Sequence, residues 1–381
     1  MWWSEASGSV ADLGVLVPIA VALIVSNGLS PTAVLLPAGL LYLVVAWVYR
    51  LPVAVQPLKA FGAVAIAAGL GADVIAAGAL LMGLIFTLLG TRDLLDRIAR
   101  IFPSPVIRGV QLAVGLLFLK IAWGLVMNPQ PTFADQGSQS TLVILTVVLV
   151  AVLAIFRRFV VLAVVVVALA TALVLSGTFA FGPAAIEFPS LTWQSLGTAA
   201  VLLVLPQLPL TFANSCLAPA DAAVTYFGEA GKVVTPSRLA RTLGVANLFA
   251  GGISGMPVCH GAGGMSAHYA FGARTWRAPM LIGATLVVGA ICFGQLLSEV
   301  LPAFPLSVLA ALLVIAAVTH VLLLRDLVGW REWLVALAVG VAGTVGNLAL
   351  AVIGGLVLAW VLRVRARRAA DAAVKTPVSG P

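Results

Sequence analysis

The chain has 381 residues, of which 62% are hydrophobic and only 9% charged, and its mean hydropathy is +1.15. Soluble domains carry about 25% charged residues, so a soluble globular protein is excluded and a polytopic membrane protein is expected. The net charge of +8 does not indicate a nucleic-acid binder, because the basic residues stand singly between apolar spans. That pattern is a topology signal.

Three cysteines, Cys216, Cys259 and Cys292, have no metal-ligand spacing and imply no disulfide framework. The opening Met1-Trp2-Trp3-Ser4-Glu5 lacks the positive region of a cleaved signal, so it is expected to be retained. No metal or cofactor is expected.

With a span of about 20 residues as the ruler, fourteen apolar segments are expected. The first half gives 10–26, 32–49, 53–70, 72–91, 104–126, 140–157 and 159–177. The second gives 196–213, 237–253, 257–272, 278–299, 303–324, 332–345 and 347–363. The fold class is therefore an all-α polytopic membrane protein. Residues 92–103 alternate charged and apolar residues at helical spacing and are expected to lie on the cytoplasmic surface as an amphipathic helix.

The charges check this count. With the N-terminus in the cytoplasm, every Lys and Arg of the 21 except Lys59 and Lys120 falls in an inside loop or the tail. Outside loops carry only the acidic Asp73, Asp135, Glu187 and Glu299. The multi-pass protein is thus expected in the cytoplasmic (inner) membrane, with both termini cytoplasmic. Trp47, Trp123, Trp193, Trp276, Trp330, Trp333 and Trp360 lie near span ends, where aromatic belts form.

The third and tenth segments are short and broken by Pro or Gly, and each is expected to be a half-helix entered through a strand. In the third, the extended run Val53-Ala54-Val55-Gln56 precedes Pro57, a residue suited to a first helical turn. Lys59 follows, and an apolar helical run continues to Leu70. A lysine there adds positive charge to the positive end of a helix dipole. Insertion into a bilayer costs it about 2.5–3.5 kcal/mol. Such a placement suits a visiting anion.

The tenth segment repeats the pattern: Pro257-Val258-Cys259, then His260-Gly261-Ala262-Gly263-Gly264. Seven spans plus seven, each set with a broken third member, imply an inverted repeat. Residues 1–185 form one repeat, 186–368 the other, and 369–381 a short tail. Two opposed half-helix N-termini then make an anion site largely from backbone. Polar residues also lie deep in the first and eighth spans: Asp12, and Gln207, Thr211, Asn214 and Ser215. Asp12 partners Lys59 or carries a coupled proton.

Four ordered motifs carry a family resemblance over essentially the whole chain. They are Asp12-Leu13-Gly14 with Pro18; Val55-Gln56-Pro57-Leu58-Lys59-Ala60; Pro206-Gln207-Leu208-Pro209-Leu210-Thr211 with Asn214-Ser215; and Met256-Pro257-Val258-Cys259-His260-Gly261-Ala262-Gly263-Gly264. The chain resembles the molybdate transporter family, which is related to the sulfate permeases.

The resemblance implies the seven-plus-seven fold of sulfate permeases and uracil/proton symporters, with spans 1–4 and 8–11 as core and 5–7 and 12–14 as gate. It implies a tetrahedral dianion as substrate, molybdate or sulfate, and a homodimer. The STAS domain typical of sulfate permeases has no counterpart here, which favours the molybdate branch. Leu217-Ala218-Pro219-Ala220-Asp221 stands where the family commonly continues with acidic residues.

The expected substrate-binding set is Gln56, Pro57, Lys59, Gln207, Asn214, Ser215, His260, Gly261 and Gly263, with Asp12 as the coupling candidate. Each has a plainer alternative. Lys59 could snorkel, Gln56 or His260 could cap a helix, and the glycines could serve close packing as readily as an anion nest. Gln207, Asn214 and Ser215 could be interhelical hydrogen-bond partners. Lys120 pairs locally or faces a water-filled cleft.

A nucleobase permease would want a carboxylate in span eight, and there is none. No Ser-His pair or His-Glu-x-x-His run supports an intramembrane enzyme. An anion channel on the same fold remains the alternative to a secondary transporter.

Overall fold

Apolar periodicity turns into helices wherever the chain lacks a breaker, and Pro, Gly and hydroxyl residues set their ends. The computed structural model describes residues 2–10, 13–91, 95, 102–177 and 179–375. Its elements begin with α1 (Trp2–Ser9), α2 (Leu13–Asn27), α3 (Pro31–Val48), β1 (Val55–Pro57), α4 (Lys59–Ala67) and α5 (Ala72–Leu89). They continue with α6 (Ser104–Met127), α7 (Gln139–Ile155), α8 (Arg157–Ser176) and a long helix α9 (Trp193–Val233). The remainder are α10 (Pro236–Gly252), β2 (Val258–His260), α11 (Ala262–Ala270), α12 (Arg277–Val300), α13 (Leu306–Val321), α14 (Trp330–Val345) and α15 (Leu348–Lys375).

Pro31 and Pro236 occupy first-turn positions of α3 and α10, where a missing N–H costs nothing. Thr192 and Ser195 form a capping box that starts α9. Gly177 ends α8 in the left-handed conformation, φ +64°.

The protein is mostly helical, and seven helices among the described residues are long and apolar enough to cross a membrane. Each expected apolar segment is occupied by a helix or by a strand followed by a short helix. Three expectations need correction. The eighth segment does not end at 213; α9 continues to Val233 as one 41-residue helical run. It is loosened by π-helical turns at Ala200–Val204 and Thr211–Leu217, so Pro206 and Pro209 are accommodated without ending it.

Pro57 does not begin a helix. It closes β1, Leu58 stays extended, and its N–H donates to the Pro257 carbonyl at 3.1 Å, so α4 starts at Lys59. Third, a short N-terminal helix, α1, precedes the first expected span. Its Glu5 is buried and accepts from the Arg274 amide at 3.1 Å and from Thr275 Oγ1 at 3.1 Å. Of the surface helix expected at 92–103, only Leu95, Phe102 and Pro103 fall within the described residues, and Asp12 also lies outside them.

The core is built from close helix pairs around the two strands. α3 packs against α12, where a Cβ on Gly39 would meet the Gly283 carbonyl oxygen at 3.1 Å. α5 packs against α10, where a Cβ on Gly83 would lie 2.6 Å from the Leu248 nitrogen. Small residues let helix backbones approach this closely. A second group centres on α6, which packs against α13, α14 and α4. Its cytoplasm-expected end is clipped by Arg108, whose Nε donates to Asp326 Oδ1 at 2.8 Å. That guanidinium holds the Asp326 carboxyl below the usual carboxylate range.

Candidate functional site

The two breaks meet. β1 and β2 pair antiparallel, with Val55 opposite His260, Gln56 opposite Cys259 and Pro57 opposite Val258. All six residues are buried. Because the strands run in opposite directions, α4 and α11 leave the sheet from opposite ends and turn their N-termini toward it. Neither helix has a side-chain N-cap: Leu58 precedes α4 and Gly261 precedes α11.

The first-turn amides are therefore the donors to account for. Phe61 N–H donates to Gln207 Oε1 at 3.0 Å. The amides of Lys59, Ala60, Ala262, Gly263 and Gly264 have no partner among the described residues. Two sets of open N–H groups at positive helix ends favour a negative ligand.

Gln56 joins the two ends. Lys59 Nζ donates to its Oε1 at 2.7 Å. The same oxygen fills the space that a Cβ at position 261 would need, so Gly261 is required by close approach. Gly263 differs, because a Cβ there would meet open space. One glycine of the run is thus a packing residue, while the other keeps the first turn of α11 uncovered. Lys59 has no salt bridge among the described residues.

Strand pleating sorts the remaining expected residues. Alternate residues of a strand point to opposite faces, so Gln56 and Cys259 share one face while His260 points to the other. His260 is fully buried, with Nδ1 3.2 Å from the Ala54 carbonyl oxygen and Nε2 2.9 Å from Thr242 Oγ1. Its ring stands edge-on to Tyr49, whose hydroxyl shares Thr242 Oγ1 at 2.9 Å. The strand pairing therefore does not bring its side chain to the face that Gln56 occupies, and the imidazole braces β2 from the other side.

Gln207 is likewise engaged at both ends, with Nε2 donating to Thr211 Oγ1 at 3.0 Å. It acts as the missing N-terminal cap of α4. Asn214 and Ser215 lie on the second π-helical stretch of α9, which packs against β2. Neither side chain makes a hydrogen bond among the described residues.

Several supporting residues escaped the sequence reading. Asn247 of α10 is fully buried and grips β2 by both ends of Val258: Nδ2 donates to its carbonyl at 2.8 Å and Oδ1 accepts from its amide at 2.7 Å. Asn27 closes the far end of α4, donating to the carbonyls of Ala65 at 3.0 Å and Leu70 at 2.9 Å. Asn27 closes the apolar α2, and Asn247 is the one polar residue of the apolar run from Leu243 to Gly252, signals that span counting passes over. His320 of α13 lies within electrostatic range of Lys59, and its Nδ1 is 2.8 Å from the Ala316 carbonyl oxygen.

Solved structures share this helical fold. The transmembrane domain of the cyanobacterial bicarbonate transporter BicA matches with TM-score 0.63 and 18% identity, over 93% of this chain and 96% of that one. Murine Slc26a9, an anion transporter in the inward-facing state, matches with TM-score 0.67 and 15% identity, over 95% of this chain and 68% of that one. At such identities the likeness is one of fold.

Sequence gives the family. Residues 4–118 and 199–319 match the family described as "Molybdate transporter of MFS superfamily", and the chain belongs to this molybdate transporter family. "Molybdate transporter 1" of Chlamydomonas reinhardtii is 28% identical, over 89% of this chain and 87% of its own. "Molybdate transporter 2" of Arabidopsis thaliana is 27% identical, over 95% and 88%.

Proposed function

We propose that this protein is a secondary transporter that moves molybdate across the cytoplasmic membrane, binding the anion between the N-termini of α4 and α11. The observation that carries the reading is Lys59: a cation without a salt bridge among the described residues, on the first residue of α4 and beside Gln56, where both helix ends converge. The open amides supply directional donors, and Lys59 supplies charge. Charge-assisted bonds of this kind are roughly twice as strong as neutral ones. Gln56, Asn214 and Ser215 complete the lining, while Gln207 and His260 act as positioning residues.

The reading takes the chain as fourteen spans in two inverted repeats. The packing supports it: α3 against α12 and α5 against α10 are equivalent pairs when the halves are exchanged, and the β1–β2 pair maps onto itself. Core and gate would then divide between α2–α5 with α9–α12, and α6–α8 with α13–α15. A cavity of about 240 Å³ between α2 and α11 on one side and α7, α8 and α13 on the other lies along that seam. Alternating access would slide the core past the gate with the anion held in it. Asp12 is the candidate for a coupled proton, and a homodimer with both termini cytoplasmic is the expected assembly.

The test is uptake of labelled molybdate into proteoliposomes, with tungstate, sulfate and uracil as competitors. Saturable uptake blocked by tungstate supports the reading. Competition by uracil and not by tungstate would replace it with a nucleobase permease, and currents beyond carrier rates would make it a channel.

A further inference from the structure

Lys120 is the other lysine set within an apolar span of the sequence, and the site just described does not use it. It lies on α6 seven residues before that helix ends, and two cavities meet on it. One, of about 160 Å³, is lined among others by Ser26 and Asn128. The other, of about 190 Å³, is lined among others by Thr344 of α14 and Asn347 of the α14–α15 turn. A cavity needs only about 10–15 Å³ on this measure to hold one water, so both have room for several.

Among the described residues, no acidic one lines either cavity and Lys120 has no ion pair. Lys120 is exposed, and both cavities open beside it. Ala67, the last residue of α4, lines both. Lys59 begins that helix, about 12 Å along the axis from Ala67 at 1.5 Å per residue, so the two lysines lie toward its opposite ends. The negative dipole end at Ala67 stabilises the Lys120 cation and weakens its hold on an anion. Such a site captures and releases rather than storing.

We propose that Lys120 is a second anion site, a staging point where a tetrahedral oxyanion arriving from the outer face is held before passing along α4 to Lys59. This rests on the transport reading and its topology, which set α6 and the α14–α15 turn in the gate and α4 in the core. The staging site therefore spans the seam that moves.

The experiment uses full-length protein with Lys120→Gln and Lys120→Arg. Initial rates of labelled molybdate transport are read against external concentration in right-side-out proteoliposomes. Equilibrium molybdate binding is read on the same purified proteins. Lys120→Gln should raise the transport KM at least fivefold and flatten its salt dependence, while the equilibrium Kd changes less than twofold. Lys120→Arg should restore KM to within twofold.

An unchanged KM overturns the proposal. So does a parallel loss of KM and Kd that Arg does not rescue, or an effect that vanishes when anionic lipid is replaced by neutral lipid. Failure of the underlying reading shows elsewhere: wild-type protein that binds no molybdate overturns both.

Discussion

The two strand-and-helix crossings are alike in geometry and unlike in chemistry. β1 leads into a helix that begins with a charge, Lys59, and borrows its cap from Gln207. β2 leads through Gly261 into a helix that begins with Ala262, Gly263 and Gly264 and carries no charge in its first turn. Each crossing is braced differently. The helix of the first is pinned at both ends by side-chain amides, while the strand of the second is clamped by Asn247 and backed by His260 and Thr242. One half supplies charge and the other supplies room. A site made of both can attract an anion strongly and still admit it to open backbone.

Asn247 tests the bracing most severely. Asn247→Ala leaves the amide and carbonyl of Val258 without partners in a buried strand. At about 1–3 kcal/mol for each unsatisfied group, the loss is roughly 2–6 kcal/mol. Thermal unfolding in detergent should show a clear drop in Tm, whereas a change within 1 °C would mean that β2 does not depend on α10.

The contact between the crossings comes next. Gly261→Ala places a methyl group where Gln56 Oε1 sits, so it should displace the glutamine, disturb Lys59 and weaken molybdate binding about tenfold, the equivalent of 1.4 kcal/mol. Gln56→Ala clears that space. The double variant should therefore bind better than the sum of the single effects predicts. Simple additivity would show that the two helix ends do not communicate through Gln56.

Much of this was legible in the sequence because it rests on local rules. A Pro before Lys59 and a Gly-rich run after Pro257 each interrupt an apolar segment, and both interruptions are strand–helix junctions. The register was not legible. Nothing local says that Gln56 faces Cys259 and not His260, and a one-residue slip reverses every side chain. For that reason the sequence grouped His260 with Gln56, while the pleat separates them. The π-helical turns of α9 were hidden too, since span length alone ended the eighth segment at 213, beyond Pro206 and Pro209. Asn27 and Asn247 act on backbone far away in sequence, and only the folded packing reveals their partners.

The smallest effect lies outside both crossings. Asp326 is held below the ordinary carboxylate range, first by the Arg108 hydrogen bonds. A depressed native pKa means that its stabilisation is complete above the unfolded value of about 3.9 and fades as pH falls through the lower native one. The clip should thus hold at neutral pH and open only in acid. Its Asp326→Asn variant should lose no more than about 1 kcal/mol at pH 7, as partly exposed pairs do. A larger loss, read by denaturation at pH 7, would show the pair to be more than a surface clip.

The central claim is that Lys59 meets the anion at the convergence of the two helix ends. Isothermal titration of molybdate into purified wild-type and Lys59→Gln protein tests it directly. Hydrogen bonds to charged groups contribute about 1.5–3 kcal/mol, so the account predicts saturable wild-type binding that weakens by roughly 10- to 150-fold in a variant of unchanged Tm. A folded Lys59→Gln protein that binds molybdate as tightly as wild type would contradict it.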